Sequence, residues 1–222
     1  MIKELIEYLS EFVSENRRKK FDEVIRWRTR HITIALEDIY QPHNASAVLR
    51  SCDCFGIQDV HIIENKNAYS VNPDVALGSS KWLDLIKYNK EEENTLTCIK
   101  TLKEKGYRVV ATTPHEKDST IQELDVNSKV CLFFGTELKG ISSIVREHAD
   151  EFVKIPMFGF TESFNISVSA ALCLHTLVTK LHASGVKWEL SAEEKEIIML
   201  QWLRNTITKP ELIEKAFRSK KK

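Results

Sequence analysis

The sequence predicts an α/β domain with a mostly parallel sheet and helices on both faces. Six short apolar runs of strand length, rich in Val, Ile and Phe, are spaced along the chain. Stretches with a helical pattern separate these runs. Strands that alternate with helices form parallel sheets, because each crossover helix returns the chain to the same end of the sheet.

The elements follow in this order. The predicted strands are residues 31–37, 58–63, 82–88, 107–112, 130–134 and 151–155. The predicted helices between them are residues 44–55, 91–105, 119–124 and 141–148. A long apolar helix over 164–183 follows and is ended by Gly185.

Helices are also predicted at both ends of the chain. Residues 3–20 are amphipathic, and Ser191 with Glu194 forms a capping-box pattern that opens another helix. Pro210 breaks that helix, and a last short helix follows. We therefore predict an N-terminal helical extension over 1–29, an α/β domain over 30–184 and a C-terminal helical extension over 185–222.

Composition narrows the class of protein. Apolar residues make up 42% and charged residues 29% of the 222 positions, as in soluble globular proteins. No run of 18 apolar residues is present, and the N-terminus lacks a signal-peptide cleavage pattern. The five cysteines are scattered without a CxxC or Cys/His cluster. We expect a cytoplasmic protein with reduced thiols, no metal and no membrane partner.

Basic residues are concentrated near the two ends, although the formal net charge is zero. A run of this kind is usually a solvated surface, and it is also the pattern of a nucleic-acid contact. The basic side chains concerned are Arg17, Arg18, Lys19, Lys20, Arg26, Arg28, Arg30, Lys220, Lys221 and Lys222.

The stretch "PHNASAVLRSCDCFG", residues 42–56, opens the first helix of the α/β domain. Asn44 is a natural N-cap, and in that interpretation Arg50 only reaches solvent. Alternatively, both side chains face the end of the sheet, where small residues let a ligand come close and a guanidinium binds phosphate.

Two later stretches follow predicted strands. "CLFFGTELKGIS", residues 131–142, runs into a loop bracketed by glycines, whose backbone can hydrogen-bond a heterocycle or ribose. "IPMFGFTESFNISVSAALCLH", residues 155–175, leads into the long helix, with Ser163 as a plausible N-cap. Neither a Gly-rich dinucleotide fingerprint nor a phosphate loop nor a nucleophile elbow is present. An α/β nucleotide hydrolase is therefore disfavoured.

In this order, the three stretches resemble the three motifs of the SpoU branch of the SPOUT methyltransferases, over roughly residues 30–180. The resemblance is strongest to its tRNA-modifying members. It implies transfer of a methyl group from S-adenosylmethionine to the ribose 2′-hydroxyl of a tRNA guanosine, expected to be guanosine 18. It also implies a C-terminal deep trefoil knot, an obligate homodimer with active sites near the interface, terminal helices that contact tRNA, and no DNA partner.

The resemblance also assigns site residues. The matching catalytic positions are Arg50, Asn44, Glu137, Ser163 and Asn165. The matching cofactor positions are Leu132, Phe134, Gly135, Thr136, Ile155, Met157 and Phe164. The family's third motif usually has Leu at the position of Phe164, which concerns only the fine shape of the pocket.

Two alternatives stay open. A SPOUT enzyme of this type can act on ribosomal RNA or on another tRNA position. A catalytically silent RNA-binding protein on the same fold is the other, and the intact motif residues argue against it. Arg50 either takes the proton of the hydroxyl or fixes a phosphate and stabilises the alkoxide, because an arginine normally stays charged.

Overall fold

A computed structural model describes residues 2–69, 76, 78–114, 119–136 and 139–220. The chain divides into two compact units. One consists of residues 29–188, and the other combines residues 1–28 with residues 189–222. Within the first unit, Thr29 Oγ1 donates a hydrogen bond to the carbonyl of Trp188 at 2.8 Å, so its first and last residues are joined.

The larger unit is built on a six-stranded sheet in which every pairing is parallel. The strands are β1 (Ile32–Glu37), β2 (Asp59–Ile63), β3 (Asp84–Tyr88), β4 (Arg108–Thr112), β5 (Val130–Phe134) and β6 (Glu151–Val153). Their order is β3-β2-β1-β5-β4-β6. The chain builds outwards from β1 in one direction and then crosses to the other side, so the order reverses between β1 and β5. In open α/β sheets, ligands bind outside the carboxyl ends of the strands at such a reversal.

Helices cover both faces of the sheet, as predicted. Among the described residues of this unit, the α-helices are α3 (Pro42–Cys54), α4 (Asn94–Glu104), α5 (Ser143–His148) and α6 (Ile166–His182), and a 3₁₀ turn spans Ser79–Trp82. Helices α3 and α6 pack against each other and share one apolar core, which includes Ile34, Leu132 and Leu174. Helices α4 and α5 pack together over a second core, which includes Phe133 and Ile99. Successive residues of β5 therefore point into different cores, and all five of its residues are buried.

The second unit is helical. It contains α1 (Ile2–Ser10), α2 (Glu15–Val24), a 3₁₀ turn (Ile25–Trp27), α7 (Ala192–Thr206) and α8 (Pro210–Lys220). Helix α1 packs against α7 and α8. The capping box predicted at Ser191 and Glu194 is present at the start of α7. The Arg204 guanidinium binds the Glu214 carboxylate at 2.6 Å, and this hydrogen bond lowers the pKa of Glu214.

The six strands lie where they were predicted, to within two residues at each end, but several helix predictions were wrong. Residues 3–20 form two helices, because Ser14 caps a new helix by accepting the backbone N–H of Arg17. Residues 119–124 form a turn, since this segment pairs with the chain after β6, through the backbone bridge Thr120–Lys154. Within the described residues, no helix is both long and apolar enough to cross a membrane.

Candidate active site

A pocket of about 520 Å³ lies at the carboxyl ends of β1, β5, β4 and β6. The segments that follow these strands, together with the beginnings of α3 and α6, supply its walls. The lining residues are Gln41, Asn44, Thr112, Thr113, Pro114, Phe134, Gly135, Thr136, Lys139, Gly140, Ile141, Arg146, Val153, Lys154, Ile155, Met157, Ser163, Phe164, Asn165, Ile166, Ser169 and Cys173. Its size suits a small organic molecule, for which pockets of roughly 300–1,000 Å³ are usual.

Two asparagines from distant parts of the chain meet at this pocket. Asn165 Nδ2 donates a hydrogen bond to Asn44 Oδ1 at 3.1 Å, and Asn44 Nδ2 donates to Gln41 Oε1 at 3.1 Å. Asn44 is buried and belongs to the first turn of α3, whereas Asn165 precedes α6. The chain of amides therefore fixes the orientation of both side chains relative to the pocket.

The capping roles predicted from sequence were wrong at two positions. Helix α3 begins at Pro42, which suits a first turn because proline lacks the N–H that would be unpaired there. Asn44 therefore lies inside the helix and does not cap it. At α6 the cap is Asn165 and not Ser163, because Asn165 Oδ1 accepts the backbone N–H of Ser167 at 2.9 Å. Ser163 stays exposed and lines the pocket.

The loop after β5 is closed by backbone pairing. Thr136 N–H donates to the Gly140 carbonyl at 3.0 Å, and Gly140 N–H donates to the Thr136 carbonyl at 2.9 Å. A Cβ on Gly135 would lie 2.1 Å from the Gly140 oxygen, so only glycine fits there. Gly140 has φ of +66°, a left-handed conformation that favours glycine. Glu137, the predicted catalytic residue of this loop, lies outside the described residues.

A buried carboxylate anchors the far end of the same loop. Glu37, the last residue of β1, accepts hydrogen bonds from the Ser142 N–H at 3.0 Å and from the Ser142 hydroxyl at 2.7 Å. It also accepts from Thr95 Oγ1 at 2.7 Å. Ser142 is in turn the N-cap of α5. Glu37 thus ties the sheet to both helices of one face and positions the adjoining pocket residues Gly140 and Ile141.

Most of the residues predicted to hold a cofactor line the pocket. They are Phe134, Gly135, Thr136, Ile155, Met157 and Phe164. Leu132 does not line it: this side chain is fully buried in the middle of β5 and belongs to the core beneath α3 and α6. Burial raises the pKa of the Cys173 thiol, at the floor of the pocket, to about 12, so this sulfur stays a neutral apolar wall.

Arg50 does not lie in the pocket of its own chain. Its side chain is exposed on α3 and makes no hydrogen bond or ion pair in the part of the chain that the structure describes. Asn44 and Arg50 are six residues apart on one helix, and at 3.6 residues per turn they point about 120° away from each other. The expectation that both face the same end of the sheet was therefore wrong.

Sequence reasoning missed the charged residues of the pocket. The charged residues among its described lining are Lys139, Arg146 and Lys154, all of them basic. For two of them the sequence held a signal, since Lys154 lies near the end of a predicted strand and Lys139 lies in the Gly-bracketed loop. Arg146 lies inside a predicted helix and gave no such signal. Basic side chains that line a pocket attract an anionic ligand.

The predicted RNA-contact residues that the structure describes divide into an exposed group and a group with partners inside the protein. Arg17, Arg18, Lys19, Lys20 and Arg26 are exposed on α2 and the 3₁₀ turn that follows it. Lys220 ends α8, and Lys221 and Lys222 lie outside the described residues.

Two members of the predicted set have structural partners instead. Arg28 is buried, and its guanidinium lies 5.3 Å from the centroid of the Trp202 ring. Arg30 is paired with two carboxylates, through Nε to Asp59 at 2.8 Å and through Nη2 to Asp84 at 2.6 Å. Neither guanidinium is presented to an external phosphate in this arrangement.

Large apolar side chains are exposed beside the pocket. Tyr40 and Phe158 adjoin the lining residues Gln41 and Met157, Phe160 lies between Met157 and Ser163 in the sequence, and all three are largely open to solvent. Val168 and Leu172, one turn apart on α6, are also exposed. A soluble monomer seldom exposes so much apolar surface in one region, so this face is suited to a partner.

Comparison with known proteins agrees with this geometry. The model of the SpoU rRNA Methylase family matches residues 31–175. The chain is 41% identical, over 95% of both chains, to the tRNA (guanosine(18)-2′-O)-methyltransferase of Borreliella burgdorferi. Its fold is similar to that of the TrmH/SpoU tRNA modifying enzyme of A. aeolicus, with a TM-score of 0.78, 28% identity and coverage of 88% and 98% of the two chains.

A more distant solved structure shares the fold. The SpoU methyltransferase AviRb of Streptomyces viridochromogenes, solved in complex with the cofactor AdoMet, gives a TM-score of 0.60 at 20% identity. The match covers 73% of this chain and 62% of that one.

Proposed function

Because this chain belongs to the SpoU methylase family, we propose that it transfers a methyl group from S-adenosylmethionine to the ribose 2′-hydroxyl of guanosine 18 in tRNA. The observation that carries the proposal is the contact between Asn44 and Asn165 at a pocket on the carboxyl edge of the sheet. The activity named for the relative from Borreliella burgdorferi, at 41% identity over nearly the whole chain, supports the choice of nucleotide.

The pocket residues fit S-adenosylmethionine. Phe134, Ile155 and Met157 supply apolar walls suited to an adenine ring, and the paired loop from Thr136 to Gly140 places backbone groups at its edge. The molecule, when bound, supplies a methyl group on a cationic sulfur. Lys139, Arg146 and Lys154, which also line the pocket, are suited to bind the carboxylate of its methionine part.

The protein groups act on the ribose. A 2′-hydroxyl is a weak nucleophile, so it must be held in line and lose its proton as the bond forms. In our proposal Asn44, Asn165 and Ser163 position the ribose, and Glu137 completes their side of the site. Arg50 takes the proton, or holds the adjoining phosphate and stabilises the developing alkoxide.

The charge of the pocket rim suits an RNA substrate. Lys139, Arg146 and Lys154 line the pocket, and no acidic residue is among its described lining. Contacts of this type hold the phosphate backbone and position the target without reading the base. The exposed basic residues of α2 and the basic C-terminal tail would extend the contact to other parts of the tRNA.

We further propose that the active protein is a homodimer. Two observations support this: Arg50 is exposed and lies outside the pocket of its own chain, and apolar side chains of α6 and the preceding loop are open to solvent. A two-fold interface on this face would bury Val168 and Leu172 and bring Arg50 of one copy near the pocket of the other.

The knot and the domain roles follow from the family and remain predictions. In this view residues 30–184 are the knotted catalytic domain, and residues 1–29 and 185–222 are extensions that contact tRNA. The chain after β6 returns from the sheet edge to α6, past the loops that follow β4 and β5. This path is compatible with a trefoil knot. A cytoplasmic location would accompany a tRNA substrate.

The test is to map the product. The purified protein is incubated with S-adenosylmethionine and an unmodified tRNA transcript, and ribose methylation is located by resistance to alkaline cleavage. We expect one 2′-O-methyl group, on guanosine 18. Methylation at another tRNA position, or of ribosomal RNA only, would contradict the proposed substrate but not the proposed reaction. Binding of tRNA without any transfer would favour the silent RNA-binding protein.

A further inference from the structure

The helical unit presents one large aromatic side chain to solvent. Trp27 is 59% exposed, whereas the other three tryptophans of the chain, Trp82, Trp188 and Trp202, are buried or half-buried. Single exposed apolar side chains are common on protein surfaces, so only the surroundings of Trp27 can indicate whether it binds a partner.

Trp27 is held between two buried residues. It ends the 3₁₀ turn Ile25–Trp27, in which Ile25 is buried. The next residue, Arg28, is 1% exposed and lies over the Trp202 ring at 5.3 Å. The anchors on either side fix the backbone, so that Arg26 and Trp27 are presented to solvent from a rigid turn. Binding through such a turn loses little conformational entropy.

The neighbourhood of Trp27 in the chain is basic. Four consecutive basic residues occupy positions 17–20 of α2, and two of the three acids of this helix are engaged locally by Glu15–Lys19 and Lys20–Glu23 ion pairs. Arg18 and Arg26 have no acidic partner within the described residues. An apolar protein surface would require apolar neighbours, whereas phosphates require cations.

An indole among cations has the chemistry of a single-stranded nucleic-acid site. Such sites combine a basic surface that follows the backbone with aromatic rings on which bases stack. We propose that Trp27 stacks on an unpaired base of the RNA substrate while Arg26 binds an adjacent phosphate. The proposal rests on the proposed function only in taking tRNA as the ligand, and it adds a binding residue outside the pocket.

The experiment measures binding of the full-length protein to an unmodified tRNA transcript across a range of salt concentrations. Trp27→Leu should weaken binding by about five- to hundredfold, as expected for the loss of one stacked base. Because leucine changes no charge, the salt slope should stay the same. Arg26→Gln should instead lower the salt slope by about one.

Two further variants make the result specific. Trp27→Phe keeps an aromatic face and should retain most of the affinity, while losing the quenching of indole fluorescence that RNA causes in the unsubstituted protein. Ile197→Ala removes a comparably exposed apolar side chain from α7 of the same unit and should bind as the unsubstituted protein does.

Equal affinity of Trp27→Leu and the unsubstituted protein would overturn the proposal. So would a change of oligomeric state in sedimentation with RNA affinity unchanged, since Trp27 would then be a protein contact. If the unsubstituted protein fails to bind the transcript at all, the proposed function fails too, so the two failures are distinguishable.

Discussion

Asn165 Nδ2 donates a hydrogen bond to Asn44 Oδ1 at 3.1 Å, across 121 positions of the sequence. The oxygen of the same amide, Asn165 Oδ1, caps α6 by accepting the Ser167 N–H at 2.9 Å. One side chain therefore both begins a helix and orients the residue opposite it at the pocket. These two roles can be separated by substitution.

Asn165→Asp should keep the cap and lose the donor to Asn44. We expect the free energy of unfolding to change by less than about 1 kcal/mol, because a carboxylate is an equally good N-cap. Methyl transfer should fall by about tenfold or more, since the carboxylate repels the Asn44 oxygen or turns its amide. The measurements are thermal unfolding and single-turnover methylation of a tRNA transcript.

Asn165→Ala is the matched comparison, because it removes the cap as well and should cost a further ~1 kcal/mol of stability. If Asn165→Asp transfers methyl groups at the original rate, the Asn44–Asn165 contact has no part in the reaction.

A mixing experiment tests whether Arg50 serves the pocket of a second copy. Arg50→Ala and Asn165→Asp should each be nearly inactive alone. If a site takes Arg50 from one copy and Asn165 from the other, a mixed dimer contains one intact site. Equal mixing after subunit exchange should then restore about a quarter of the original activity.

The control for mixing is Arg50→Ala combined with Arg50→Lys, which offers no intact guanidinium in any pairing. Activity that stays at the level of the separate variants, in a preparation that sedimentation shows to have exchanged subunits, would place Arg50 and Asn165 in the same chain's site.

The exposed basic residues of α2 should respond to substitution differently from Arg30, which is paired with carboxylates inside the protein. Arg18→Gln should weaken tRNA binding and lower the salt slope by about one, with no loss of stability, because Arg18 is exposed on α2. Arg30→Met should instead destabilise the fold, by about 3 kcal/mol, since it leaves the carboxylates of Asp59 and Asp84 unpaired on neighbouring strands.

The readouts are filter binding at several salt concentrations and chemical unfolding. Removal of Lys220–Lys222 should also flatten the salt slope. Identical salt slopes in Arg18→Gln and the unsubstituted protein would show that α2 is an ordinary solvated surface.

Stability should fall in mild acid because of His61. Burial, with a smaller contribution from Lys105, lowers the pKa of His61 to about 4, below the ordinary value near 6.5. As the pH falls from 6.5 to 4, His61 therefore becomes protonated in the unfolded chain but stays neutral in the folded chain. Through this group, the free energy of unfolding decreases by about 3 kcal/mol over that range.

His61→Gln should flatten the pH dependence in that window, even if it lowers stability throughout. His148→Gln, at an exposed histidine at the end of α5, is the matched control and should leave the curve unchanged. Parallel curves for His61→Gln and the unsubstituted protein would contradict the assignment.

The sequence predicted the sheet better than the helix ends. Short runs rich in β-branched and aromatic residues, such as "VCLFF" at β5, are typical of strands buried on both faces, so all six strands could be located. Helix starts depend on which of several polar residues caps, and Ser163 and Asn165 are equally good candidates by type. Residues 119–124 were missed because their backbone partner, Lys154, is decided by tertiary pairing.

Only part of the candidate site could likewise be predicted from the sequence. The asparagines and the Gly-bracketed loop could be assigned because three motifs occur together in one order. The structural partners of Arg28 and Arg30 could not be predicted, because Trp202, Asp59 and Asp84 are remote from them in the sequence. Nothing in the local sequence distinguishes these two arginines from exposed ones. The direction of Arg50 could have been predicted, since a helix over residues 44–55 already turns Arg50 about 120° away from Asn44.

The central claim is that the pocket transfers a methyl group to one ribose oxygen. Its most direct test is a tRNA identical to the substrate except for a 2′-deoxyguanosine at position 18, assayed beside the unmodified transcript with labelled S-adenosylmethionine. We predict equal binding of the two RNAs and methyl transfer only to the one that carries the hydroxyl. Undiminished transfer to the deoxy-substituted tRNA would contradict it.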